Sequence, residues 1–349
     1  MINLFIPVVI LIASSLAFLL FKGVRRKLFI YIILLSISFC ILVYFMRLLF
    51  SSTQTEILSA GLSAHKTGVL IELSSVTSVF SIILLIASAV ILLRLIMSSD
   101  DDSKKPAILA MMTSFALLAL QSVEFLYFII FIFMQFFLLI VYSNASTLKN
   151  AFSVVRFTTG IFVSFIFSII ALGSMAAIFG SVNISIMTEN HLLQALDGWP
   201  VLMMFSFALA FSAFLGLFPM NIFTYDYLSA ANDCEKSIFV MFIVFPSLTY
   251  LLKYFTAGDF MFSSVKLAFI ISVISFALSV FAIFGRKNIK DAKPHIIFAV
   301  ISETLSVLLY QLLNKSPVDF ILLASNTFML VLMLLSLEIL SADSYEGMR

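Results

Sequence analysis

Apolar runs of about twenty residues, separated by short charged segments, recur along nearly the whole chain. A run of that length, as an α-helix rising about 1.5 Å per residue, crosses the roughly 30 Å hydrocarbon layer of a bilayer. Eleven such runs can be placed, at 1–21, 28–50, 75–97, 107–120, 124–142, 157–179, a seventh closing at Leu217-Phe218-Pro219, an eighth ending near Lys253, and at 265–284, 294–313 and 318–340. The expected fold is therefore all-α, a polytopic membrane protein of about eleven transmembrane helices. Composition agrees: 62% of the 349 residues are hydrophobic and 11% charged, where soluble domains carry about 25% charged residues.

The first run is followed, not preceded, by Lys22, Arg25, Arg26 and Lys27, so it reads as a retained helix and not as a secretory signal. The chain forms a single transmembrane domain over 1–349, with helices 1–4 in 1–121, helices 5–8 in 122–255 and helices 9–11 in 256–349. Assigning the loops alternately to the two sides puts fifteen of the 20 basic residues on one side and five on the other. Basic loops stay inside, so the N-terminus lies outside and the C-terminus inside. No Lys/Arg block exists to bind a polyanion, which excludes nucleic acid as a partner. Cys40 and Cys234 lie far apart, and Cys40 sits in an apolar run, so neither a disulfide nor a metal cluster is expected. There is no nucleophile set, phosphate loop or flavin motif, hence no catalytic site, and no cofactor bound by this chain.

An ionisable group inside the hydrocarbon layer is costly and survives mainly where it is used. By that criterion Glu303, about nine residues into the tenth run, is the sharpest proton-path candidate; its bland alternative is a structural carboxylate facing another helix. Glu124 and Lys293 lie at helix ends and Asp226 in the polar part of 211–253, and these three are weaker candidates. Pro219 and Pro246 mark helix breaks of the kind that build ion sites in transporters, or plain structural kinks.

The stretch 211–253, FSAFLGLFPMNIFTYDYLSAANDCEKSIFVMFIVFPSLTYLLK, resembles the seventh and eighth helices of the antiporter-like membrane subunits of respiratory NADH:ubiquinone oxidoreductase (complex I), relatives of the Mrp-type Na+/H+ antiporters. Pro219, Phe223, Thr224 and Asp226 fall on the P, W, T and D of that family's pattern, in the W-T-P-D-V-Y variant of subunit 2 (chain N in bacteria). Glu124 matches the opening Asp of the fifth helix. Asp291, Lys293, Ile301 and Ser302 match the tenth, with Glu303 in place of a His, and Asn326 matches the eleventh. The resemblance runs from Glu124 to Leu340. The ionisable residues of the family do not survive: Phe133 stands on its Glu, Phe214 and Phe245 on its two buried Lys, and Thr327 and Val331 on its distal His and Lys. Gln135 is the one polar group near Phe133.

What the resemblance implies is an antiporter-like subunit fold with discontinuous helices, divergent and shortened at the C-terminus. The chain would sit in the proton-translocating membrane arm of complex I with its own channel residues largely lost, and so be mainly structural. Partners would be the other membrane-arm subunits and the lipid bilayer, with bound lipid such as cardiolipin compatible. NADH, FMN, iron–sulfur clusters and ubiquinone would belong elsewhere in the complex. The location would be the mitochondrial inner membrane, or a bacterial plasma membrane. A cation/proton antiporter of Mrp type and the membrane scaffold of a hydrogenase-type complex are the other readings.

Overall fold

The computed structural model describes residues 6–20, 26–50, 56–60, 69–73, 75–97, 104–143, 148–179, 199–256 and 262–346. The expected loops around His65 and Lys66, at 98–103 and at 181–198 fall outside the described residues, in whole or in large part. The bundle is all-α, as expected. Its helices are α1 (Ile6–Leu20), α2 (Arg26–Phe50), α3 (Ser75–Met97), α4 (Lys105–Gln121), α5 (Phe125–Tyr142), α6 (Leu148–Phe179), α7 (Trp199–Leu215), α8 (Asn221–Ala230), α9 (Asp233–Phe239), α10 (Phe245–Thr256), α11 (Phe262–Phe284), α12 (Ile289–Leu313) and α13 (Phe320–Glu346). A π-helical turn, Val240–Val244, joins α9 to α10, so the two form one broken span, Asp233–Thr256. Among the described residues, six spans are long and apolar enough to cross a membrane, and five shorter apolar helices accompany them. A small antiparallel hairpin, β1 (Glu56–Ala60) with β2 (Val69–Leu73), lies between α2 and α3.

Lipid tails are as apolar as leucine, so helices in a membrane associate through close packing and interhelical hydrogen bonds. Both occur here. Thr113 of α4 donates to Ser88 of α3 at 3.1 Å, and Gln135 of α5 donates through Nε2 to the Met112 carbonyl of α4 at 2.6 Å. Ser306 of α12 donates to Ser272 of α11 at 2.9 Å, and Asn326 of α13 to Thr304 of α12 at 3.0 Å. Aromatic rings fill the centre: Phe128 stacks on Tyr250 at 4.1 Å and Phe207 on Tyr254 at 4.2 Å, spacings within the attractive range for ring pairs.

Three local results correct the sequence reading. The seventh span ends at Leu215 and not at 217–219, because Gly216 adopts a left-handed conformation (φ 67°). The Leu217 N–H bonds the Ser212 carbonyl and the Gly216 N–H bonds that of Ala213, the paired bonds of a Schellman stop. A Cβ at position 216 would come within 2.5 Å of the Phe298 ring, so glycine also lets α12 approach. The tenth span begins at Ile289 and not at Pro294, so Asp291 and Lys293 are helical. The polar part of 211–253 that follows Pro219 is itself helical, folding into α8 and the capped start of α9.

Candidate functional site: a buried charge cluster beneath a broken helix

Asn232 starts α9 with a reciprocal capping box. Its Oδ1 accepts from the Glu235 N–H at 2.7 Å, while Glu235 Oε2 accepts from the Asn232 N–H at 3.2 Å, satisfying two amides that a helix start otherwise leaves bare. That cap fixes the orientation of the first turn, which carries Asp233, Glu235 and Lys236, all buried. Lys236 Nζ donates to Asp233 Oδ1 at 3.0 Å. Lys293, from the first turns of α12, donates to the other oxygen, Asp233 Oδ2. Lys105 at the start of α4 is buried at the same end, its ammonium 5.6 Å from the centre of the Tyr142 ring, and its charge reaches Glu235. Tyr142 in turn lies 3.6 Å from Cys234 Sγ.

Three helix starts thus bring three ammonium groups and two carboxylates together out of water. Buried charges persist only when paired and hydrogen-bonded, and Asp233 between two lysines meets that condition. The acids also sit in the first turn of α9, where the partial positive charge of a helix start favours them. All five groups belong to the basic side of the alternating loop assignment.

Directly above this cluster the helix widens. A proline at 246 clashes with the carbonyl four residues earlier and cannot donate to it. The π turn accommodates this: the Phe245 N–H bonds the Val240 carbonyl five residues back. Such widened turns recur at functional sites. Pro246 lies in the first turn of α10, directly after the π turn, and Pro219 lies between α7 and α8.

The structure brings only one of the four candidate proton-path residues into the cluster, Lys293. Asp226 pairs with Arg156 of α6 toward the bundle surface. Glu124 lies half-buried just before α5, and burial pushes its carboxyl above the ordinary carboxylate range. Glu303 is exposed on α12, with no hydrogen bond or ion pair to another helix among the described residues. Sequence reading missed the role of Asp233 and Lys236; the Asn-x-x-Glu capping pattern at 232–235 was the available signal.

The positions where the family resemblance expects ionisable groups hold packed rings. Phe133 lies edge-on to Phe214 at 5.9 Å, and Phe214 also meets Phe128 at 6.3 Å and Phe136 at 6.0 Å. Phe245 packs edge-on against Phe80 at 5.3 Å. Gln135, two residues beyond Phe133, donates its amide to the Met112 carbonyl.

No family model and no curated protein matches the chain. Solved structures do. A chain of the membrane-bound sulfane sulfur reductase, an archaeal respiratory membrane complex, superposes with a TM-score of 0.76 at 14% identity, covering 95% of this chain and 55% of that one. A chain of the Mrp complex from Dietzia sp. DQ12-45-1b gives 0.78 at 11% identity, over 95% and 64%. A chain of respiratory complex I from Thermus thermophilus gives 0.74 at 11%, over 95% and 70%. The chain has their fold. It spans between 55% and 70% of the length of these solved chains. At such identities the likeness is one of fold alone, and the broken span Asp233–Thr256 is part of that shared fold.

Proposed function

We propose that the chain is a membrane-arm subunit of a respiratory NADH:ubiquinone oxidoreductase, similar to subunit 2, held in the mitochondrial inner membrane and serving mainly as structure. The observation that carries this reading is the packing of Phe133 against Phe214 in the middle of an antiporter-like fold. Proton transfer across a membrane needs a chain of ionisable groups or waters at hydrogen-bond spacing. Where Phe128, Phe133 and Phe136 pack around Phe214, with ring centroids 5.9–6.3 Å apart, the side chains offer such a chain no ionisable group. The buried Asp233, Lys236 and Lys293 then work as a staple that holds α9 to α12 at the inner end. Electron transfer from NADH through FMN and iron–sulfur clusters to ubiquinone belongs, in this reading, to other subunits.

A second reading, a subunit of an Mrp-type cation/proton antiporter, draws on the TM-score of 0.78 with the Mrp complex and on a Lys/Asp cluster under a π turn. It requires that cluster to exchange ions with the far side of the membrane through the aromatic layer. The two readings separate on purification of the tagged chain from native membranes. The first predicts migration in a large assembly that stains for NADH dehydrogenase activity. Recovery of an assembly without that activity, or of the chain alone exchanging Na+ for H+, overturns it.

A further inference from the structure

Glu303 is the thirteenth of the 23 residues in the span Asp291–Leu313, one position past its centre. The other exposed charged side chains in the described spans are Arg156, Lys266 and Asp291. Each lies within six residues of a span end, where a charged head reaches the interface. Among the described residues, then, Glu303 is the one exposed charged side chain near mid-membrane, and no hydrogen bond or ion pair accompanies it.

Its neighbours on the helix surface form a stripe. Ile296, Val300, Glu303, Val307 and Tyr310 recur at alternating steps of four and three, which places them on one face. Val307 is 41% and Tyr310 58% exposed, and Ile296 and Val300 are partly open. The stripe runs between the side of α12 that meets α11 through Ser306 and the side that meets α13 through Thr304. Exposed faces of other spans, such as Phe162, Ile166 and Ile169 on α6 or Ile270, Val273, Ile274 and Phe281 on α11, are apolar, as lipid requires.

We infer that this face of α12 docks a transmembrane helix of a different subunit, one that carries Lys, Arg or His at mid-depth opposite Glu303 and apolar residues against Val300, Val307 and Tyr310. The charge chooses the occupant. Lipid tails offer a carboxylate no donor, and leaving it among them is costly. A second copy of this chain related by a two-fold axis through the stripe sets Glu303 against Glu303, since such interfaces match a patch with itself; like charges repel. A basic side chain on a foreign helix satisfies the carboxylate, and polar pairs of this kind tie membrane helices together. Glu303 in this role is a docking residue and carries no proton across the membrane. The inference rests on the reading of the chain as a subunit of a larger assembly.

The test uses the tagged chain in its native membrane. A photo-crosslinking amino acid in place of Val307 captures its neighbour, and Glu303→Leu removes the carboxylate while filling the same space. Because Glu303 is exposed and makes no hydrogen bond or ion pair among the described residues, the Leu variant purified in detergent keeps the wild-type unfolding midpoint. The inference predicts capture of a single membrane protein, on a peptide with a basic residue at mid-span, and at least a fivefold loss of that protein from the purified Leu variant. Crosslinks to lipid only, a captured peptide without a basic residue, or full assembly of the Leu variant overturns it. A wild-type chain that migrates alone overturns the subunit reading as well, whereas wild-type assembly that the Leu variant retains overturns this inference alone.

Discussion

Lys293, in the first turns of α12, and Asp233, at the start of α9, form a buried ion pair although 60 positions separate them in sequence. The pair ties the starts of α9 and α12 to each other. Lys236 holds the second oxygen of the same carboxylate, so the acid is shared and the two bases are not equivalent in consequence.

Removing the acid leaves two buried ammonium groups facing each other. Asp233→Asn is expected to cost about 3–5 kcal/mol of stability, the usual consequence of breaking a buried pair from one side. Lys293→Met leaves Asp233 its bond to Lys236 and costs less. Thermal unfolding of the purified variants in detergent measures both, and the order of the two midpoints is the decisive reading. Equal losses contradict the shared-acid geometry.

The aromatic centre gives a second expectation. Truncating a buried Phe to Ala costs about 3–5 kcal/mol in water-soluble cores, of which part is transfer of the ring from water. In a membrane that part is absent because the alternative environment is lipid. Phe214→Ala is therefore expected to cost about 1–3 kcal/mol, from lost ring contacts and the cavity left behind. Denaturation in mixed micelles gives the number, and no measurable loss contradicts the packed arrangement of Phe128, Phe133 and Phe136 around it.

Glu124 supplies a pH dependence. Burial raises its carboxyl above the ordinary value of 4.5 in the folded chain. An acid with a raised folded value contributes stability that is full below its unfolded value and is lost as pH rises through the folded one. Stability from this group thus falls on the alkaline side of 4.5. Glu124→Gln, which cannot ionise, removes that part of the slope. Unfolding midpoints of both proteins across pH 4 to 8 provide the check, and parallel curves contradict it.

The membrane spans were legible because each is a long apolar run, and hydrophobicity alone sets their number and order. Helix ends were less so. Gly216 stops α7 two to four residues early through its backbone conformation, and α12 starts a turn and a half before Pro294, because Lys293 finds a buried partner in Asp233 and Asp291 sits in the first turn, where a helix start favours an acid. The site was mostly hidden. Lys293 and Asp233 find each other only through the path of the bundle, which no local spacing encodes. Glu303 stood out by chemistry, but which way it faces depends on the packing of α11 and α13 around α12. The substitution of rings at 133, 214 and 245 was visible from the resemblance; that 133 and 214 pack against each other was not.

Topology can be tested through thiols. The alternating assignment of loops from the sequence puts 61–68 on the side poor in basic residues and 98–103 on the basic side. With Cys40 and Cys234 buried, Ser63→Cys is expected to react with an impermeant maleimide from outside, and Ser103→Cys only after the membrane is opened. Reaction of both from the same side contradicts the alternating order of the spans.

In the proposed reading, packed rings at 133, 214 and 245 stand where antiporter-like subunits carry ionisable groups, so the chain moves no ions by itself. The most direct measurement is proton and Na+ flux by the purified chain alone in sealed liposomes under an imposed pH gradient. Gramicidin added at the end confirms that the gradient was intact. The account predicts flux indistinguishable from protein-free vesicles at every Na+ concentration. A flux that scales with protein and saturates with Na+ contradicts it.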